Sequence, residues 1–119
     1  MNTTRSYKDL VVWQKGIALA KLIYQLTNEF PGQERFGLIA QMRCATVSIP
    51  SNIAEGQARH TTGEFLSHAE GSLAELDTQL ILSLELKFCT ASAANPAFEL
   101  ILEIRRMLNA LRRKLAARQ

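Results

Sequence analysis

The chain has 119 residues and a net charge of +3, from 14 basic and 11 acidic side chains. Its 47% apolar and 21% charged fractions are those of a globular protein and exclude a disordered chain. A single domain over 1–119 is expected, with a polar tail at 1–6, since domains most often run to roughly 100–150 residues.

A pI near 9.1 is only mildly basic, short of a dedicated nucleic-acid coat. Three Pro and six Gly argue against a loop-rich β-sandwich. Cys44 and Cys89 cannot form a disulfide framework, and two thiols alone do not make a zinc cluster. Both read as buried or half-buried free thiols. The segment Met1–Ser6 lacks the apolar stretch of a signal peptide. No apolar run approaches the roughly 20 residues of a membrane span. A reduced, cytoplasmic compartment is the expectation, with no membrane partner.

The periodicity predicts a first helix over Tyr7–Asn28. Leu10, Trp13, Ile17, Ala20 and Tyr24 recur at spacings of three and four. Val12, Leu19, Ile23 and Leu26 do the same at a roughly opposite phase. A helix apolar on two sides has more to bury than one neighbour covers. One reading makes the surplus side an oligomer interface, with Val12, Leu19, Ile23 and Leu26 as its candidates. The other reading is a broad contact within the subunit. Phe30-Pro31-Gly32 ends the helix, because Pro31 disfavours the α region at Phe30.

A second helix is expected over Gln33–Glu55, with Ile39, Met42, Thr46, Ile49 and Ile53 on one face. Pro50 lies inside it, removes a donor, and should kink it and free the Thr46 carbonyl. Ala45, Ser48, Ser51 and Ala54 would let another backbone approach closely, and Gly56 is the expected stop. Thr61-Thr62-Gly63-Glu64 matches a capping box and opens a third helix, Thr62–Cys89. Its seam is Leu66, Ala69, Leu73, Leu76, Leu80 and Leu84. Asn95-Pro96 reads as the start of a fourth helix, Pro96–Ala117. There Ile101, Ile104, Leu108, Leu111 and Leu115 form an a/d seam. Four amphipathic helices with short connections predict an all-α, antiparallel up-down-up-down four-helix bundle.

The net charge conceals a split. The third-helix segment carries Glu64, Glu70, Glu75, Asp77 and Glu85 against Lys87, a net −4. The segment 96–119 carries Arg105, Arg106, Arg112, Arg113, Lys114 and Arg118 against Glu99 and Glu103, a net +4.

Four blocks follow one another along the chain: Asp9-Leu10-Val11-Val12-Trp13-Gln14-Lys15, Pro31-Gly32-Gln33-Glu34-Arg35-Phe36-Gly37-Leu38, Ser48-Ile49-Pro50-Ser51-Asn52-Ile53-Ala54-Glu55-Gly56, and Gly71-Ser72-Leu73-Ala74-Glu75-Leu76-Asp77-Thr78-Gln79-Leu80. In this order they resemble the small four-helix-bundle proteins encoded in intervening sequences of bacterial large-subunit ribosomal RNA genes. That family includes the accessory variability determinant of diversity-generating retroelements. The resemblance implies a four-helix bundle and a ring-like homopentamer, and so favours an inter-subunit surface at Val12, Leu19, Ile23 and Leu26 on the first helix. The accessory determinants bind nucleic acid and a partner reverse transcriptase, so RNA or DNA and such an enzyme are implied partners. The chain departs from the family pattern at Cys44 and Glu70, where relatives carry basic residues, and at His68, where an apolar residue is usual. These losses of positive charge weaken nucleic-acid binding by the second and third helices.

Candidate sites follow. In the motif Ser48, Pro50, Asn52, Glu55 and Gly56, Asn52 and Glu55 beside the kink make a partner site, or the group satisfies backbone atoms locally. Glu64 and His68 share a helical face, yet two ligands do not close a metal site, and no Glu-x-x-His occurs. There is no Walker loop, dinucleotide fingerprint or nucleophile elbow, so no catalytic residue, metal or cofactor is expected. Arg105, Arg106, Arg112, Arg113 and Lys114 are the candidate nucleic-acid-binding residues, because guanidinium forks suit phosphate. The competing reading leaves them on a solvated helix face or pairs them with the acidic third helix. The expected function is thus a non-enzymatic, self-assembling bundle that binds nucleic acid or a nucleic-acid-handling partner. The alternative is an oligomeric protein-interaction scaffold.

Overall fold

Apolar residues spaced by three and four produce four helices: α1 (Val11–Thr27), α2 (Leu38–Arg59), α3 (Thr62–Glu85) and α4 (Ala91–Ala117). Short 3-10 turns, Tyr7–Asp9 and Gly32–Glu34, precede α1 and α2. This is a computed structural model; it describes residues 6–60 and 62–117, the Thr62 side chain excepted. Among the described residues there is no strand. The expected capping box falls on Thr61, outside them, as does Arg118.

Each helix packs on two others, in the cyclic order α1, α2, α3, α4. Named contacts give the register. Gly16 approaches Pro50, and Thr27 bonds Arg43. Gly56 lies under Phe65, Ser48 bonds Ser72, and Met42 meets Ser83. Asp77 pairs with Arg105 and Glu70 with Arg112. The body measures 50 × 23 × 22 Å.

Every helix contributes to one core. Ile39, Met42, Thr46, Ile49 and Ile53 are buried from α2. So are Leu66, Ala69, Leu73, Leu76 and Leu80 from α3, and Ile101, Ile104 and Leu108 from α4. Leu84, Leu111 and Leu115 are partly buried against it.

The face of α1 expected to meet another subunit is instead inside its own. Val12, Leu19 and Ile23 are 5%, 0% and 0% exposed, and Leu26 packs against the core. The reason is Gly16, which shares their phase. A Cβ there would stand 3.3 Å from the Pro50 Cβ, so α2 comes in close on this side. Ile17 and Tyr24, from the opposite set, face outward.

Boundaries also differ from the sequence reading: α1 and α2 start at Val11 and Leu38 rather than Tyr7 and Gln33, each behind a 3-10 turn. α2 passes through Pro50 and beyond Gly56 to Arg59, where His60 adopts a left-handed φ of 57° and bonds back to the Gly56 carbonyl. Gly56 serves packing instead: a Cβ there would lie 2.8 Å from the Phe65 Cβ. α3 stops at Glu85, not Cys89. Lys87 takes φ 62°, and the Lys87 and Phe88 N–H groups bond the carbonyls of Leu84 and Ser83. That is a Schellman cap built without glycine. α4 begins at Ala91, because Thr90 caps it through its hydroxyl, 3.1 Å from the Ala93 nitrogen. Pro96 then lies inside the helix, where its missing N–H affects only the carbonyl of the exposed Ser92.

Candidate functional site

The seam between α3 and α4 brings the two charge segments together. Arg105 Nη2 donates to Asp77 Oδ2 at 3.3 Å. One heptad on, Arg112 grips both oxygens of Glu70, at 2.8 and 3.1 Å, and also donates to Ser67 Oγ at 3.0 Å. Hydrogen bonding to Glu70, and then the attraction of its charge, raise the Arg112 pKa further above its ordinary value. Glu70, Leu73, Arg105, Asn109 and Arg112 line an open cavity of about 320 Å³ here. Two of the five candidate phosphate-binding residues thus engage acids of their own subunit.

Arg106, Arg113 and Lys114 are exposed, and among the described residues none forms an ion pair within 4 Å. The α3 acids Glu64, Glu75 and Glu85 are exposed in the same way. Lys15 of α1 pairs with Glu103 of α4 at 3.3 Å.

The Ser48–Gly56 motif is knitted into the α2–α3 contact. Ser48 Oγ lies 2.8 Å from Ser72 Oγ rather than turning back to a carbonyl one turn earlier. Asn52 Nδ2 donates to the Ser48 carbonyl and hydroxyl, at 2.8 and 2.9 Å. Pro50 is buried toward α1, and exposed Glu55 pairs with Arg59 at 3.6 Å. Ser48, Pro50 and Gly56 thus touch the neighbouring helices, while Asn52 and Glu55 bond within α2 or to its last turn.

Cys44, expected to be at least half-buried, is exposed. It lies on the outward phase of α2 beside Ala40 and Val47. Cys89 is half-buried, and burial raises its thiol pKa above the ordinary value. Exposed His68 packs edge-on to Phe65, with centroids 5.7 Å apart. Among the described residues no three His, Cys, Asp or Glu gather as a metal-ligand set. No helix is long and apolar enough to cross a membrane, among the described residues.

Two features were not anticipated from sequence. Phe36 is 91% exposed at the tip of the α1–α2 connection; its neighbours Arg35 and Gly37 were the signal of a loop. Arg43 clasps the end of α1. It donates to Thr27 Oγ1 and Asn28 Oδ1, both at 3.0 Å, and lies 4.5 Å over the Tyr24 ring. An arginine sixteen positions from its partner leaves no local pattern.

Large apolar side chains also remain outside the core. On the last turns of α3 Ile81 and Leu82 are 48% and 44% exposed, Leu86 just past its end is 50% exposed, and Leu102 on α4 is 43% exposed. Between the ends of α1 and α4, Leu10, Val11, Met107 and Leu111 border an open groove of about 510 Å³.

Curated proteins yield no match to the chain. A family model described as 23S rRNA-intervening sequence protein matches residues 8–110. That span takes in the four motif blocks, the α3–α4 charge seam up to Arg106, and nearly all of the core. The chain belongs to the 23S rRNA-intervening sequence protein family.

Proposed function

We propose that the protein is a non-enzymatic, self-assembling scaffold. In this reading each chain is an antiparallel up-down-up-down bundle and one subunit of a homopentameric ring. The observation that carries it is the apolar group Ile81, Leu82 and Leu86, clustered at one end of α3 and left about half exposed. Scattered apolar side chains are ordinary on a surface, but a cluster marks an interaction site. Free thiols at Cys44 and Cys89 suit a reducing, cytoplasmic setting. Light scattering at micromolar concentration tests the assembly. A particle several times the 13.3 kDa chain is expected, and native mass spectrometry should count five copies. A clean monomer refutes the reading.

A second reading gives the assembly a nucleic-acid role, through RNA, DNA or a reverse transcriptase bound to it. Its support is the exposed basic set Arg106, Arg113 and Lys114. A ring multiplies such a patch, and multivalent phosphate contacts are strongly salt-dependent. Arg105 and Arg112 contribute less in this reading, being held by Asp77 and Glu70. Titrating RNA and DNA binding against salt tests it; no binding at low ionic strength removes it.

A further inference from the structure

We infer that the subunits join head to tail, the outer stripe of α4 on one copy docking on the outer stripe of α3 on the next. This inference rests on the self-assembly proposed above and names the surfaces that make it. On α4, Leu102, Arg106, Asn109 and Arg113 follow one another at steps of four, three and four, and all are exposed. On α3, Glu75 and Leu82 share an exposed stripe seven residues apart. Leu102 and Asn109 have the same separation. A rise of about 1.5 Å per residue makes both about 10 Å. Seating Leu102 on Leu82 with the helices opposed therefore sets Asn109 against Glu75. Arg106 and Arg113 then flank that carboxylate from one turn on either side.

Net charge names the occupant: the register also sets Glu99 against Glu85, but the α4 stripe with Arg106, Arg113 and Glu99 is net positive and the α3 stripe with Glu75 and Glu85 is net negative. Within the described part of a subunit, Glu75, Arg106 and Arg113 have no ion-pair partner within 4 Å. The inner stripes of the same two helices already show the chemistry, with Arg105 on Asp77 and Arg112 on Glu70. Arg106 and Arg113 repeat the spacing of the inner arginines on the outer side of α4, and Glu75 lies on the outer side of α3. Leu82 and Leu102, 44% and 43% exposed, supply apolar contact beside the charges. Because the two stripes are different surfaces, the contact is heterologous, the kind that closes into a ring when its rotation permits.

Charge exchange with light scattering tests the pairing. Glu75→Arg alone, and Arg106→Glu with Arg113→Glu, should each reduce the particle to 13.3 kDa with helical content unchanged. The triple variant Glu75→Arg, Arg106→Glu, Arg113→Glu should regain the wild-type mass, which a folding defect would not allow. Full-size particles from the single-stripe variants overturn this pairing and leave the assembly reading intact. That outcome, with RNA binding lost from the Arg106/Arg113 variant, assigns the stripe to nucleic acid instead. A monomeric wild type overturns the assembly reading itself.

Discussion

Arg112 and Glu70 meet through two bonds, Nη2 to Oε1 at 2.8 Å and Nε to Oε2 at 3.1 Å. Planar forks of this kind hold geometry as well as charge. The pair fastens the last turns of α4 to α3, where the α4 seam is only partly buried at Leu111 and Leu115. Arg112→Glu is therefore expected to lower the melting temperature and leave the particle mass unchanged. Arg106→Glu with Arg113→Glu should do the reverse. Calorimetry and light scattering on the two variants separate the inner stripe from the outer.

Gly56 and Gly71 should respond oppositely to alanine. A Cβ at Gly56 would meet the Phe65 Cβ at 2.8 Å, whereas none of the surroundings lies within 4 Å of one at Gly71. Overpacking of this kind costs about 1–3 kcal/mol. In an exposed helix interior, Gly→Ala stabilises by roughly 0.5–1 kcal/mol. Urea unfolding of Gly56→Ala and Gly71→Ala checks both signs.

The two left-handed positions predict a gain. His60 and Lys87 sit at φ 57° and 62°. A side chain there costs about 1 kcal/mol that glycine does not incur. His60→Gly and Lys87→Gly should each shift the urea midpoint upward with no change in slope.

Arg43 tests the clasp on α1. Arg43→Lys keeps the charge but loses the fork that reaches Thr27, Asn28 and the Tyr24 face. A loss of about 1.5–3 kcal/mol is expected, the usual worth of hydrogen bonds to a charged donor. Hydrogen exchange should localise the loosening to the end of α1.

Cys44 should react first with a thiol reagent at pH 7.5, and Cys89 slowly. Exposure favours Cys44, while burial raises the Cys89 pKa and thins its reactive thiolate. The difference should narrow as pH rises through the raised pKa. Mass spectrometry of timed alkylation reads both sites.

The helices and their seams were legible in the sequence because spacing at three and four needs no tertiary information. The ends of α3 and α4 were not. Lys87 does the work of a C-terminal glycine, and Thr90 caps α4 ahead of the more obvious Asn95-Pro96. The doubled apolar face of α1 announced excess burial but not direction. Direction depended on which face Gly16 opened to Pro50, a contact between distant positions. The charge split was visible at once; its division into held and exposed arginines depended on helical phase against a neighbour.

The link between α2 and α3 is barely two residues long, from Arg59 to Thr62, and positions 56 and 65 touch directly across it. So short a closure loses little chain entropy. The α2–α3 hairpin is therefore expected to form before the other two helices dock. Gly56→Ala should slow refolding in a stopped-flow experiment, whereas substitutions at Arg112 should act mainly by speeding unfolding.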